Sequence, residues 1–314
     1  MVSARRSIPT WLYFVLAGVV WGSSFLFMKV SLTGMNPAQV AVGRLGFGAL
    51  ALFIMMLITR TPFIRDPRLL GHIAVIGFFL AGLPLLIWAW VGQYLPSGQM
   101  AIFNATTPLL TLVLASIFLP SDRMRLSGIL GVITGALGLM LVVAPWRDTG
   151  ASETGAAIDP AMTWIAYAAA LGATSCYAVG FVYMRKILTT RDFSPLAFTF
   201  AQITAGFVLV TLMALPLGLF APMALNTQAV AAVLTLGAIG TGIAYVWNNL
   251  VVARWGSVRA SMVTYVTPVV GVILGALLLA EPLSWNEPVG MLVLFFGIAL
   301  AQGLIGKKSA ASNS

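Results

Sequence analysis

The sequence predicts an all-α integral membrane protein of ten transmembrane helices, arranged as two inverted five-helix repeats. Three observations lead there. Of 314 residues, 60% are hydrophobic and only 8% are charged, where a water-soluble domain carries about 25% charged residues. Ten apolar runs approach the roughly 20 residues that a helix needs to cross a bilayer. The last five of these runs echo the first five.

The first run, residues 11–30, follows Arg5 and Arg6 and continues through Trp21, Phe25 and Phe27 without a small-residue cleavage site. It therefore reads as a retained helix rather than a removed signal. Gly34 and Pro37 separate it from residues 37–58, and Pro62 and Pro67 precede residues 69–91. Pro96 and Gly98 introduce residues 98–119, and Pro120 with Asp122 precedes residues 126–143, because proline and glycine punctuate helices. The second set comprises residues 162–187, 195–217, 229–252, 260–279 and 288–305, with Pro282 and Pro288 dividing the last two. The organisation expected is a first repeat over 1–144, an outer linker over 145–160, a second repeat over 161–306 and a cytoplasmic tail over 307–314.

The formal net charge of +9 follows from topology. With the N-terminus in the cytoplasm, the inner side holds Arg5, Arg6, Arg60, Arg65, Arg68, Arg123, Arg125, Arg185, Lys186, Arg191, Arg254, Arg259, Lys307 and Lys308. Lys29 and Arg147 are left toward the outside and Arg44 within a helix, as the positive-inside tendency requires. Asp148, Glu153, Asp159, Glu281 and Glu287 fall in the outer loops. An even number of spans independently puts both termini in the cytoplasm, in a multi-pass protein of the plasma membrane. No basic stripe with interleaved aromatics follows a phosphate backbone, so nucleic acid is not an expected partner.

Around Thr107 and Pro108 the segment NATTPLLTLVLASIFL matches TYVTPVVGVILGALLL around Thr267 and Pro268, at an offset of about 160. Gly131 and Gly138 likewise match Gly290 and Gly297, and WGSSFLFMKV from Trp21 lies over YAVGFVYMRK from Tyr177. A unit with an odd number of spans must re-enter the membrane from the other side. That makes the repeat inverted, and two oppositely oriented halves predict alternating access around a site near the midplane.

Those residues carry a resemblance. The WGSSFLFMK run, Arg44 early in the second helix, the Thr-Pro helices, the LLLAEPLSWNEPVG segment and the five-plus-five layout resemble the EamA family of the drug/metabolite transporter superfamily. The first repeat departs from the pattern: Ser121 stands where the second repeat has Glu281. The resemblance implies a secondary transporter of small metabolites, an exporter of amino acids or related compounds. A flippase for a lipid-linked intermediate and an exporter of lipophilic drugs are the alternatives. The drug exporter is disfavoured because a proton-driven mechanism wants a deep carboxylate, whereas the deep charges here are positive.

Intramembrane charges mark candidate sites because they are costly to insert. Arg44 shares its helix face with Gly48 and Ala51; it suits either substrate binding or pairing with helix-end carbonyls. Lys29, in the last turn of the first helix, suits either a cavity role or snorkelling to headgroups. Polar and aromatic residues complete the candidate cavity: Trp21, Trp88, Asn104, Thr107, Tyr177, Tyr245, Asn248, Thr264 and Tyr265. Asn104 is the repeat partner of Thr264, and Trp88 of Asn248. Ser261, Thr111 and Thr241 share the same faces, and Pro108 and Pro268 are expected to bend their helices by removing a backbone donor. Trp11, Trp146 and Trp164 read as interfacial anchors.

Cys176 reads as a buried small hydrophobe and His72 as an interfacial residue. With one histidine and eight scattered acids, no nucleophile–base or metal-ligand cluster is legible, and no GxxxxGK[ST] loop is present. Neither enzyme activity nor a cofactor nor a metal is expected. The expected partners are a small-molecule substrate and the lipid bilayer, with a homodimer compatible with the reading.

The orientation is testable. Single cysteines placed within residues 147–159 of a Cys176→Ala background should react with impermeant thiol reagents on intact cells. Labelling only after lysis overturns the topology.

Overall fold

The computed structural model describes residues 9–119, 124–146, 159–187, 194–255 and 263–304, and every regular element among them is helical. Outside these lie Arg5, Arg6, Ser121, Asp122, Arg123, Arg147, Asp148, Glu153, Arg191, Arg259, Ser261, Lys307 and Lys308.

In the first half, α1 is Thr10–Ser31, α2 Pro37–Thr59 and α3 Pro67–Val91. α4 runs in two segments, Ser97–Asn104 and Thr107–Phe118, and α5 is Leu126–Val143. In the second half, α6 is Pro160–Ile187 and α7 Pro195–Ala214, the latter ending in a 3₁₀ turn, Leu215–Leu217. α8 runs from Thr227–Thr235 through Leu236–Ile243 to Ala244–Trp255, α9 is Val263–Leu278 and α10 Asn286–Ala301. Among the described residues, eight stretches are long and apolar enough to cross a membrane, those of α1 to α8, while α9 and α10 carry shorter apolar stretches.

Local chemistry sets the starts. Asn36 and Gln39 form a reciprocal cap on α2, with Asn36 Oδ1 accepting from the Gln39 N–H at 3.0 Å and Gln39 Oε1 from the Asn36 N–H at 2.9 Å. Pro37 follows at the first turn, where its missing N–H costs nothing. The amides of the same pair reach the segment after α7: Asn36 Nδ2 donates to Gly218 O at 2.7 Å and Gln39 Nε2 to Ala221 O at 2.7 Å. Asp66 caps α3 by accepting from Arg68 N, and Asn226 caps α8 by accepting from Ala229 N. In lipid such caps count for more than at a wet surface, because a free backbone donor has no water to satisfy it.

Two helices depart from α geometry at matching places. α3 widens to a π-helical turn over Phe78–Gly82, and α8 over Leu236–Ile243. Each is held by backbone crossing at glycine. A Cβ on Gly48 of α2 would stand 3.2 Å from Gly237 O of α8, and one on Gly206 of α7 would stand 3.1 Å from Gly77 O of α3. Gly48 and Gly206, like Gly77 and Gly237, are separated by about 160 residues.

α5 and α10 cross in the same way. A Cβ on Gly131 would lie 2.5 Å from Gly297 O and one on Gly290 would lie 2.6 Å from Gly138 O, so the two helices run antiparallel with backbones touching. Helix pairs recur likewise. α2 packs on α8 as α7 packs on α3, and α1 on α8 and α9 as α6 on α3 and α4. The core between them gathers Phe25, Leu45, Leu52, Trp88, Phe103 and Ile203. Leu57, Ile58, Leu130, Leu212 and Leu292 face outward, as they would against acyl chains.

Because backbone atoms, not flexible side chains, oppose Gly138, the α5–α10 seam cannot accept bulk. Gly138→Leu is expected to cost about 1–3 kcal/mol from overpacking, read as a lowered unfolding temperature in detergent. Gly71→Ala, where nothing lies within 4 Å of the added carbon, should leave that temperature in place.

Candidate functional site

Five of the candidate residues converge in the core. Arg44, 5% exposed, projects from α2 toward the π turn of α8, where its Nε donates to Thr241 Oγ1 at 3.0 Å. This is the only hydrogen bond of the guanidinium among the described residues, and no carboxylate pairs with it. Tyr177 of α6 and Tyr245 of α8 lie within electrostatic reach of its charge. Trp21 of α1 donates its indole N–H to Gly240 O at 3.1 Å and meets Tyr245 edge-on at 5.5 Å. The Tyr245 hydroxyl donates to Leu80 O at 3.3 Å.

The π turns thus supply carbonyl groups to the site. In π geometry the backbone bonds shift from i−4 to i−5 and local carbonyls become available to side chains. Gly240 O lies in one π turn and Leu80 O in the other. Trp88 completes the wall. It is 1% exposed, packs edge-on against Phe25 at 5.1 Å, and its indole N–H has no hydrogen-bond partner. The Tyr177 hydroxyl approaches that indole without meeting hydrogen-bond geometry.

Beside this cluster, between α1 and the π turn of α8, lies a half-open cavity of about 150 Å³. Val20, Ser23, Ser24, Phe27, Thr235, Leu236, Ile239 and Gly240 line it. Ser23 and Ser24 both turn their hydroxyls back to Val20 O, at 2.9 and 3.0 Å, so the walls are predominantly apolar. At Gly240 the cavity adjoins the charge: a Cβ there would stand 3.3 Å from Ser24 Oγ and 3.9 Å from Arg44 Nη2.

The remaining candidates sit elsewhere. Asn104 ends the first segment of α4, its carbonyl accepting the Thr107 hydroxyl at 2.7 Å across the Ala105–Thr106 interruption just before Pro108. Pro268 lies inside the continuous helix α9. Tyr265 packs edge-on against Phe295 at 5.2 Å with its hydroxyl buried and unpartnered. Asn248 is half-buried on α8, and the Thr264 side chain lies outside the described residues.

Lys29 belongs to a separate cluster at one end of the bundle. Its Nζ stands 3.3 Å from Glu281 Oε1 and donates to Leu95 O at 3.1 Å. The Glu281 carboxylate accepts from Ser97 N at 2.8 and 2.9 Å, Ser97 Oγ at 2.7 Å and Gly98 N at 3.3 Å. An anion on these first N–H groups is the arrangement that a helix N-terminus favours. Next to it, Gln99 donates to Glu287 at 2.9 Å and accepts from the Tyr167 hydroxyl at 3.1 Å.

Sequence reasoning did not single out Gly240, Ser24, Ser97 or Gln99. Their roles rest on contacts between residues 68 to 219 positions apart. The closely spaced glycines of LGAIGTGI were the one visible trace of the α8 π turn.

The chain matches the model of the EamA-like transporter family over residues 9–144 and 164–302. A transporter of Archaeoglobus fulgidus named as uncharacterized is 22% identical over 92% of this chain and 96% of its own length. The inner membrane transporter YedA of Escherichia coli, also named as uncharacterized, is 26% identical over 94% and 91%. The protein PecM of Dickeya dadantii is 23% identical over 92% and 90%. A crystal structure sharing 18% sequence identity superposes with a TM-score of 0.66 over 94% of this chain and 98% of that one, and so shares the fold.

Glu281 is one-tenth exposed and accepts several charge-assisted hydrogen bonds. Glu281→Gln is expected to lower stability by about 1.5–3 kcal/mol, the range for hydrogen bonds to charged groups, in detergent unfolding. If the pair acts as a unit, Lys29→Met adds little in the Glu281→Gln background. Full additivity of the two would show that they do not interact.

Proposed function

The chain belongs to the EamA-like transporter family and is a membrane transporter, and from that premise we propose a secondary exporter of small metabolites, amino acids or related compounds, working by alternating access. The observation that carries the mechanism is the exchange of helix contacts under the offset of about 160 residues. The Gly48–Gly237 contact goes over into Gly206–Gly77, and Gly131–Gly297 into Gly290–Gly138. Contacts that map onto one another support a reading of ten spans in two inverted halves, 1–144 and 161–306. Such halves can exchange conformations, opening the shared site to one side and then the other. The family match to two segments of comparable length supports the same division.

Arg44, Trp21, Trp88, Tyr177 and Tyr245 form the substrate site in this reading, drawn from both halves. The Lys29–Glu281 pair lies at the outer end, where it ties α1 and α4 of one half to the segment before α10 of the other. Opening outward separates those elements, so release of substrate requires this pair to part. A cavity of about 150 Å³ favours a small solute over a polyprenyl phosphate or a bulky lipophilic drug.

Counterflow in proteoliposomes tests the reading. At least one of a panel of radiolabelled amino acids and related small acids should exchange saturably against unlabelled solute, while a labelled polyprenyl phosphate should not. Absence of saturable exchange for every small solute, or exchange of the lipid alone, overturns it.

A further inference from the structure

Among the described residues, Arg44 is a buried cation without a counter-ion. Removing one partner of a buried ion pair is strongly destabilising because it leaves an uncompensated charge, and a charge inside the membrane is costlier still. Lys29, in the last turn of α1, is neutralised by Glu281. The repeat-equivalent position of Arg44 is Gln202, buried but uncharged. The site therefore carries one positive charge and holds no acid among the described residues to offset it. With Nε committed to Thr241, the planar fork of the guanidinium retains its Nη donors, the geometry that receives a carboxylate.

The adjoining cavity specifies the rest of the molecule. At about 150 Å³ with mainly apolar walls, it matches the size of apolar cavity that accepts one benzene ring. Gly240 belongs to its wall, and a Cβ added there would stand 3.9 Å from Arg44 Nη2. Gly240 O and Leu80 O each already accept one side-chain donor, from Trp21 and Tyr245, and the residues lining the cavity include no carboxylate that would neutralise an ammonium group beside Arg44.

We propose that Arg44 and the α1–α8 cavity form a binding site for small monocarboxylates with a ring-sized apolar body and no free ammonium group. The carboxylate lies on the Nη groups of Arg44 and the apolar body in the recess between Ser24 and Gly240. The proposal rests on the transporter reading and narrows its substrate to the deaminated or amine-blocked relatives of amino acids. One guanidinium balances one negative charge, so a phosphate dianion would leave a net charge in the membrane.

Binding to the purified full-length protein in detergent, by calorimetry, provides the test. Phenylacetate should bind at least tenfold more tightly than its methyl ester, phenethylammonium, phenylalanine or phenyl phosphate. These wild-type comparisons need no variant. Arg44→Gln should weaken phenylacetate at least tenfold and Arg44→Lys by less, whereas Arg65→Gln, on the exposed α2–α3 segment, should change nothing. Equal binding of acid and ester, or undiminished binding to a folded Arg44→Gln protein, overturns the anion site. Phenylalanine binding as tightly as phenylacetate overturns the exclusion of ammonium, and tighter phenyl phosphate overturns the single-charge assignment. Saturable counterflow of other solutes alongside any of these failures would leave the transporter reading standing.

Discussion

The structure depends on how closely its helices can approach. In a bilayer a leucine gains nothing by exchanging an acyl chain for another leucine, so helix association draws on close packing and polar contacts rather than on escape from water. Here backbones approach closely at Gly131, Gly138, Gly290 and Gly297 between α5 and α10, and at Gly48, Gly77, Gly206 and Gly237 around the π turns. The α2–α8 crossing at Gly48 is what brings Arg44, one turn away, against Thr241.

The π turns convert this packing into a site. An uninterrupted α-helix keeps its carbonyls to itself, but Gly240 O and Leu80 O are shared with Trp21 and Tyr245. These bonds fix two aromatic walls beside the guanidinium and lash α1 to α8 and α8 to α3. In the alternating-access cycle proposed for this protein, the elements that would move against each other are the elements that build the cavity.

The two inward cations are treated in opposite ways. Lys29 meets Glu281 and the amide groups of Ser97 and Gly98, a closed set with its charges balanced. Arg44 keeps its charge unbalanced in the core. From the sequence both were intramembrane cations on small-residue faces. The difference is set by Glu281, a residue 252 positions from Lys29 whose repeat counterpart is Ser121, and no local pattern reports which cation such an acid will reach.

The sequence by itself determined the solvent, the helices and the residues worth testing. Composition demands lipid, proline and glycine divide the apolar runs to within a few residues of the described helices, and Arg44, Trp21, Trp88, Tyr177 and Tyr245 were all legible as candidates. These are properties of one helix at a time, written in periodicity and in the cost of burying charge. Only the tertiary structure decided which candidates meet. It took Lys29 to the Glu281 cluster and Tyr265 to Phe295, and it placed an apolar cavity at Gly240 beside a guanidinium that no acid among the described residues pairs with. The physical reason is that neutralisation, π geometry and cavity shape arise between helices far apart in the chain, where a sequence records the partners but not their distance.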